Sequence, residues 1–174
     1  MRRRSRGRRR GLAALTLAVT AFGLLATSAS AIPSRRLVWN ASASAPIGLY
    51  WRIDGRLQRG DLVLAWAPLW ARRLAAERHY LPLTVPLVKR IAAGAGDVIC
   101  ATAWDIIING EVVTQRLESD ASGRALPLWT GCRKLSAGEF LLLMADVPDS
   151  FDGRYFGVTE RPEIIGRLVP LWTP

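Results

Sequence analysis

From residue 36 to the end, the chain sets short apolar runs between turn signals, the spacing of an antiparallel β domain. Gly48–Ile53 reads as one strand. Arg59-Gly60-Asp61 turns into a second over Leu62–Trp66. A third runs from Leu83 to Ala92, is stopped by Gly94-Ala95-Gly96-Asp97, and is followed by Val98–Ala101. Asp105–Val113 folds back on Asn109-Gly110, a dipeptide whose residues both tolerate the positive φ of a two-residue hairpin. Ser136–Glu139 turns into Phe140–Met144, and Ile164–Leu171 is the last strand. Trp70–Tyr80 breaks the alternation: bounded by Pro68 and Pro82, it has helical composition. Gln115–Arg133 has no regular period and reads as a long loop. The fold class this predicts is mainly β with one short helical insertion.

The N-terminus follows a different pattern. Seven Arg fall within residues 1–10, and Gly11–Ala31 carries no charge over 21 residues. That length just spans a bilayer core. Positive charge on its N-terminal side predicts a cytoplasmic segment 1–10, with everything after residue 31 on the far side of the membrane. Ser28-Ala29-Ser30-Ala31 also suits leader cleavage, so residues 11–31 read as a membrane anchor or a signal sequence. Either way, residues 36–174 form an exported domain. The formal charge of +10 does not point to nucleic acid. Most of it is the N-terminal cluster, and the remaining basic residues form no stripe interleaved with aromatics. The two cysteines, Cys100 and Cys132, are an even count in an exported domain, which favours a disulfide over two separate thiols.

The candidate chemistry is narrow. The single histidine, His79, lies in the expected helix without a nucleophile signature nearby, and His, Cys and carboxylates show no metal-ligand spacing. No cofactor loop is present. Of 24 Lys and Arg residues only Lys89 and Lys134 are Lys. Lys89 closes the apolar run Leu83–Val88. Arg stays charged in proteins, whereas a desolvated Lys can lose its proton and act as a base. A hydroxyl nucleophile paired with a lysine base is the chemistry left, and the Ser/Ala/Pro stretch Asn40–Tyr50 offers the hydroxyl on a stiffened turn.

Three motifs stand in order: Asn40-x-Ser42-x-Ser44-x-Pro46-x-Gly48-Leu49-Tyr50; Leu87-Val88-Lys89-Arg90-Ile91-Ala92-Ala93 with Gly96-Asp97; and Asp149-Ser150-Phe151-Asp152-Gly153-Arg154-Tyr155-Phe156-Gly157. Together they resemble the signal peptidase superfamily of Ser/Lys proteases, and within it the TraF branch of conjugative-transfer peptidases. The resemblance implies a signal-peptidase-like β domain behind one N-terminal membrane helix. It implies Ser44 as nucleophile, Lys89 as general base and Ser42 as an oxyanion donor beside the Ser44 N–H. Ser150 would orient the amine, and Asp152 with Arg154 would form a supporting ion pair. The implied activity is serine endopeptidase processing of a membrane-embedded pilin precursor for conjugative pilus assembly, by cleavage or head-to-tail cyclisation. The enzyme would be held in the bacterial inner membrane with its catalytic domain in the periplasm, or free there if the leader is cleaved. Many relatives read Asp-Ser-Arg where this chain has Asp152-Gly153-Arg154, which removes a hydroxyl from that motif. The rival reading is a catalytically inactive periplasmic subunit of a transfer or secretion apparatus.

Overall fold

The computed structural model describes residues 36–173 and, before them, Thr20 in a helix. The chain divides into two units, Met1–Arg35 and Arg36–Pro174. The basic segment 1–10 and the anchor or leader read over 11–31 lie, apart from Thr20, outside the described residues. Among the described residues no helix is long and apolar enough to cross a membrane.

In chain order the second unit begins with β1 (Leu37–Asn40), β2 (Gly48–Ile53), β3 (Leu62–Ala65), helix α1 (Leu69–Glu77) and β4 (Leu87–Ala93). Next come β5 (Val98–Ala101), β6 (Asp105–Ile108), β7 (Glu111–Gln115) and β8 (Gly131–Lys134). It closes with β9 (Glu139–Leu143), α2 (Gly153–Phe156), β10 (Val158–Glu160) and β11 (Ile164–Trp172). Seven strands form one antiparallel sheet in the order β1-β2-β11-β3-β4-β9-β10, and four form a second, β7-β6-β5-β8. Both faces of the larger sheet are covered around β4. Tyr50, Leu64, Val88 and Leu168 pack in one cluster, and Val63, Ala65, Ile91 and Leu142 in another. A third cluster joins Ile99, Ile106 and Ile108 of the small sheet to Leu141 and Leu143 of β9. Lys89 therefore sits in a strand with apolar matter on either side, directly opposite Val63 of β3.

Most expected strands are present, and the departures have local causes. The strand expected from Leu83 starts only at Leu87. Val85 N–H donates to the Pro82 carbonyl in a turn, and Pro86 has no N–H to give a ladder. The expected loop Gln115–Arg133 contains β8, whose four residues are all exposed and so show no apolar alternation. Its register sets Cys132 opposite Cys100, and the two are disulfide-bonded. Strands β1 and β10 were not legible either. The expectation of one helical insertion is corrected to two α-helices within residues 36–173. Four-residue α2 is too short to show a helical period; it is started by the Asp152 side chain, which accepts from Arg154 N–H. The expected hairpin has the φ values its turn requires, 53° at Asn109 and 88° at Gly110.

The disulfide closes the chain across 32 positions. Cys132→Ser is expected to lower unfolding free energy by roughly 3 kcal/mol. Denaturant titration with and without reductant checks this: the reductant should weaken the wild type to the level of the variant and leave the variant unchanged.

Candidate active site

Ser44 lies in the short loop between β1 and β2, and that loop is held from inside. Asn40, the last residue of β1, is buried. Its amide NH2 donates to the carbonyls of Ser42, Ala45 and Pro46, each at 3.0 Å, so two hydrogens serve three acceptors. Its Oδ1 accepts the Ser42 N–H at 3.1 Å. Buried Tyr50 of β2 donates its hydroxyl to the Pro46 carbonyl at 2.6 Å. At Gly48 a Cβ would run into the Trp172 carbonyl, so β11 closes over the loop's far end only because this residue is glycine. Sequence reasoning assigned no role to Asn40 or Tyr50. The available signal was a polar residue ending the apolar triplet Leu37-Val38-Trp39, four positions before Ser44.

The loop places Ser44 Oγ against Lys89 Nζ at 2.9 Å. Lys89 Nζ also donates to Ser150 Oγ at 2.7 Å, and both Lys89 and Ser150 are 2% exposed. Burial is the largest influence on the amine and pushes it down. The Asp152 carboxylate pulls it up, Arg154 pushes it down, and Asp149 pulls it up; the outcome is about 8, from an ordinary 10.5. Roughly one molecule in ten then carries a neutral Lys89 amine at pH 7, with its lone pair free to take a proton. Ser42 Oγ lies 3.0 Å from Ser44 Oγ. The Ser44 N–H donates to Ser42 Oγ at 3.4 Å, near the outer limit of a hydrogen bond. The two expected oxyanion donors thus stand side by side at the nucleophile.

Asp152 and Arg154 form a fully buried pair, each side chain 0% exposed. Arg154 Nε donates to Asp152 Oδ1 at 2.9 Å and Nη2 to Oδ2 at 3.0 Å. The guanidinium also donates to the carbonyls of Met144, Val147 and Pro148, and at longer range to Thr114 Oγ1 and the Gln115 carbonyl of β7. Asp152 Oδ2 also accepts the Met144 N–H. The pair clamps the β9–α2 connection that carries Ser150. Breaking a buried pair of this kind by removing one partner typically costs about 3–5 kcal/mol.

Gly153 answers the departure noted in the sequence. A Cβ there would lie 2.7 Å from the Leu142 carbonyl oxygen and 2.8 Å from Leu141 Cδ1. The position faces the backbone of β9, not the Ser44–Lys89 contact, and in this packing a serine hydroxyl would have to displace β9. Two cavities flank Ser44. One, of about 360 Å³, is shared with Lys89 and Ser150; the other, of about 520 Å³, with Pro46, Ile47 and Met144. Among the described residues no group of three His, Cys, Asp or Glu is placed to hold a metal ion.

The depressed Lys89 amine ties stability to pH. Below pH 8 native and unfolded chains both hold the proton, and the native state bears a buried cation. Between about 8 and 10.5 the unfolded chain keeps a proton that the native chain has lost, so native stability rises with pH. Lys89→Met lacks this response. Between pH 7 and pH 10.5 the stability difference should move in favour of the wild type by on the order of 3 kcal/mol, read from urea unfolding at both pH values. A difference that does not change with pH would contradict a titrating Lys89.

Comparison with known proteins places the chain in a family. Residues 9–172 match the family described as signal peptidase, peptidase S26. A plasmid transfer protein TraF of Escherichia coli is 33% identical over 144 residues, covering 77% of this chain and 81% of the relative. A second E. coli plasmid transfer protein TraF is 31% identical over 179 residues, covering 97% and 99%. A conjugal transfer protein TraF of Agrobacterium fabrum is 30% identical over 146 residues, covering 77% and 81%. Among solved structures, a signal peptidase I of Enterococcus faecalis has a TM-score of 0.40 at 18% identity, covering 67% of this chain and 100% of that one. Matched along nearly its whole length, the chain belongs to the signal peptidase, peptidase S26, family, as a TraF-type member.

Proposed function

We propose that this protein is a serine endopeptidase that uses a Ser44/Lys89 dyad on a pilin precursor during assembly of a conjugative pilus. The observation that carries the reading is the 2.9 Å contact between a buried Lys89 amine and Ser44 Oγ, with Ser150 fixing the amine from the other side. A neutral Lys89 accepts the Ser44 proton as Oγ attacks the scissile carbonyl carbon. The developing oxyanion meets the Ser44 N–H and the Ser42 hydroxyl, which turn from each other to the new charge. Lys89, now an ammonium, gives its proton to the departing amine, and the acyl group remains on Ser44 as an ester. Water resolves the ester to a free acid, or a substrate amine resolves it to a new amide; cyclisation is the second case, with the amine supplied by the same chain. Lys89 serves as base in either step.

The conjugative setting is drawn from the relatives' names as plasmid and conjugal transfer proteins, and the pilin precursor from the resemblance of the three sequence motifs to conjugative-transfer peptidases. The setting, an inner membrane with the catalytic domain in the periplasm, rests on the basic cluster before Gly11–Ala31, and the Cys100–Cys132 disulfide suits an oxidising compartment. The inactive reading leaned on Gly153, and the close approach of β9 gives that glycine a packing reason instead.

Ser44→Ala and Lys89→Ala are each expected to abolish precursor processing, followed by mass spectrometry of the pilin. Ser42→Ala should retain activity lowered by about 10²–10³-fold. Lys89→Arg keeps the charge and loses the base, so it should be inactive; normal processing by that variant would sink the dyad.

A further inference from the structure

Asn40 ends β1 and pairs with Gly48, where the chain leaves the sheet and re-enters it. Its side chain is buried, with the residue 4% exposed. Some of the groups it bonds have a second holder and some do not. The Pro46 carbonyl also accepts from the Tyr50 hydroxyl at 2.6 Å, and the Ser42 carbonyl also accepts from the Ala45 N–H at 3.4 Å. Two groups depend on Asn40 alone among the described residues. One is the Ser42 N–H, 3.1 Å from Asn40 Oδ1; the other is the carbonyl of buried Ala45, 3.0 Å from Asn40 Nδ2. They stand on either side of Ser44.

Ser42 itself is exposed, so packing does not fix its side chain. Asn40 fixes it instead through the backbone, gripping the Ser42 N–H and the Ser42 carbonyl with one amide. With the backbone held from both sides, the Ser42 hydroxyl has only its χ1 rotamers left. The one it adopts sets Oγ 3.0 Å from Ser44 Oγ. A donor aimed in advance at the oxyanion needs no reorganisation at the moment of attack, whereas a loosely held donor does. We propose that Asn40 is a positioning residue for this chemistry and acts through Ser42, aiming its hydroxyl at the oxyanion without touching the substrate. The inference rests on the peptidase reading and adds to it a residue outside the dyad.

The test is a double-mutant cycle, read on a synthetic peptide spanning the cut that mass spectrometry locates in the pilin. Asn40→Ala should lower kcat by about 10–100-fold and leave KM within about twofold. In the Ser42→Ala chain no hydroxyl is left to aim, so there the same substitution should cost less than about threefold. Asn40→Ser keeps one hydrogen-bonding hydroxyl; it runs the same cycle where Asn40→Ala does not fold, with a smaller loss and the same pattern. The Lys89 amine should titrate in each folded variant as it does in the wild type, because its burial does not depend on Asn40. Losses that multiply across the cycle, as a general folding defect would give, overturn the role. So does an effect carried by KM, or a displaced Lys89 midpoint. A wild-type chain that processes no precursor contradicts the peptidase reading and takes the role with it; multiplying losses in an active wild type remove the role alone.

Discussion

Lys89 is 2% exposed, and its amine donates to two hydroxyls and has no carboxylate within bonding distance among the described residues. A buried cation without an ion-pair partner is costly, and the group relieves the cost by giving up its proton. The same burial that opposes the folded state therefore makes the amine a base. It requires β4 to be covered on both faces, by Val88, Leu64 and Tyr50 on one side and by Ile91, Val63 and Leu142 on the other.

The Asp152–Arg154 pair beneath the amine is tuned to let this happen. An unpaired buried carboxylate near Lys89 would hold the proton on. Arg154 answers it with two hydrogen bonds and an opposing field, so burial stays the dominant influence. Arg154 also donates to the carbonyls of Met144, Val147 and Pro148, fixing the connection that presents Ser150. Across the cleft Asn40 does the equivalent for Ser44 with a single amide. The nucleophile and the hydroxyl that orients the base thus arrive on separate segments, each held by a buried polar residue that bonds to backbone carbonyls, and glycines at 48 and 153 let neighbouring strands close in.

How much of this could be read from the chain depends on whether a feature is periodic or positional. The central strands and the Asn109-Gly110 hairpin announce themselves by apolar runs and turn residues. Fully exposed β8 and edge strand β1 do not, because pairing partners rather than their own side chains define them. At the site, Lys89 stood out because Arg replaces Lys almost everywhere else. Ser44, Ser42 and Ser150 came from motif order, and the structure brings Ser42, Ser44, Lys89 and Ser150 into one hydrogen-bonded chain. The burial of Asp152 and Arg154 depends on contacts between distant segments, and the anchoring by Asn40 on the path of its own loop, and no apolar period encodes either.

The scarcity of lysine also supplies the most direct test. With lysine labelled at Cε or Nζ, the chain gives two side-chain NMR signals, and exposed Lys134 serves as the internal reference. The Lys89 signal, assigned with Lys89→Met, should titrate with a midpoint near 8. A Lys89 midpoint in the ordinary ammonium range, above about 10, would contradict the account of a buried amine poised to take the proton of Ser44.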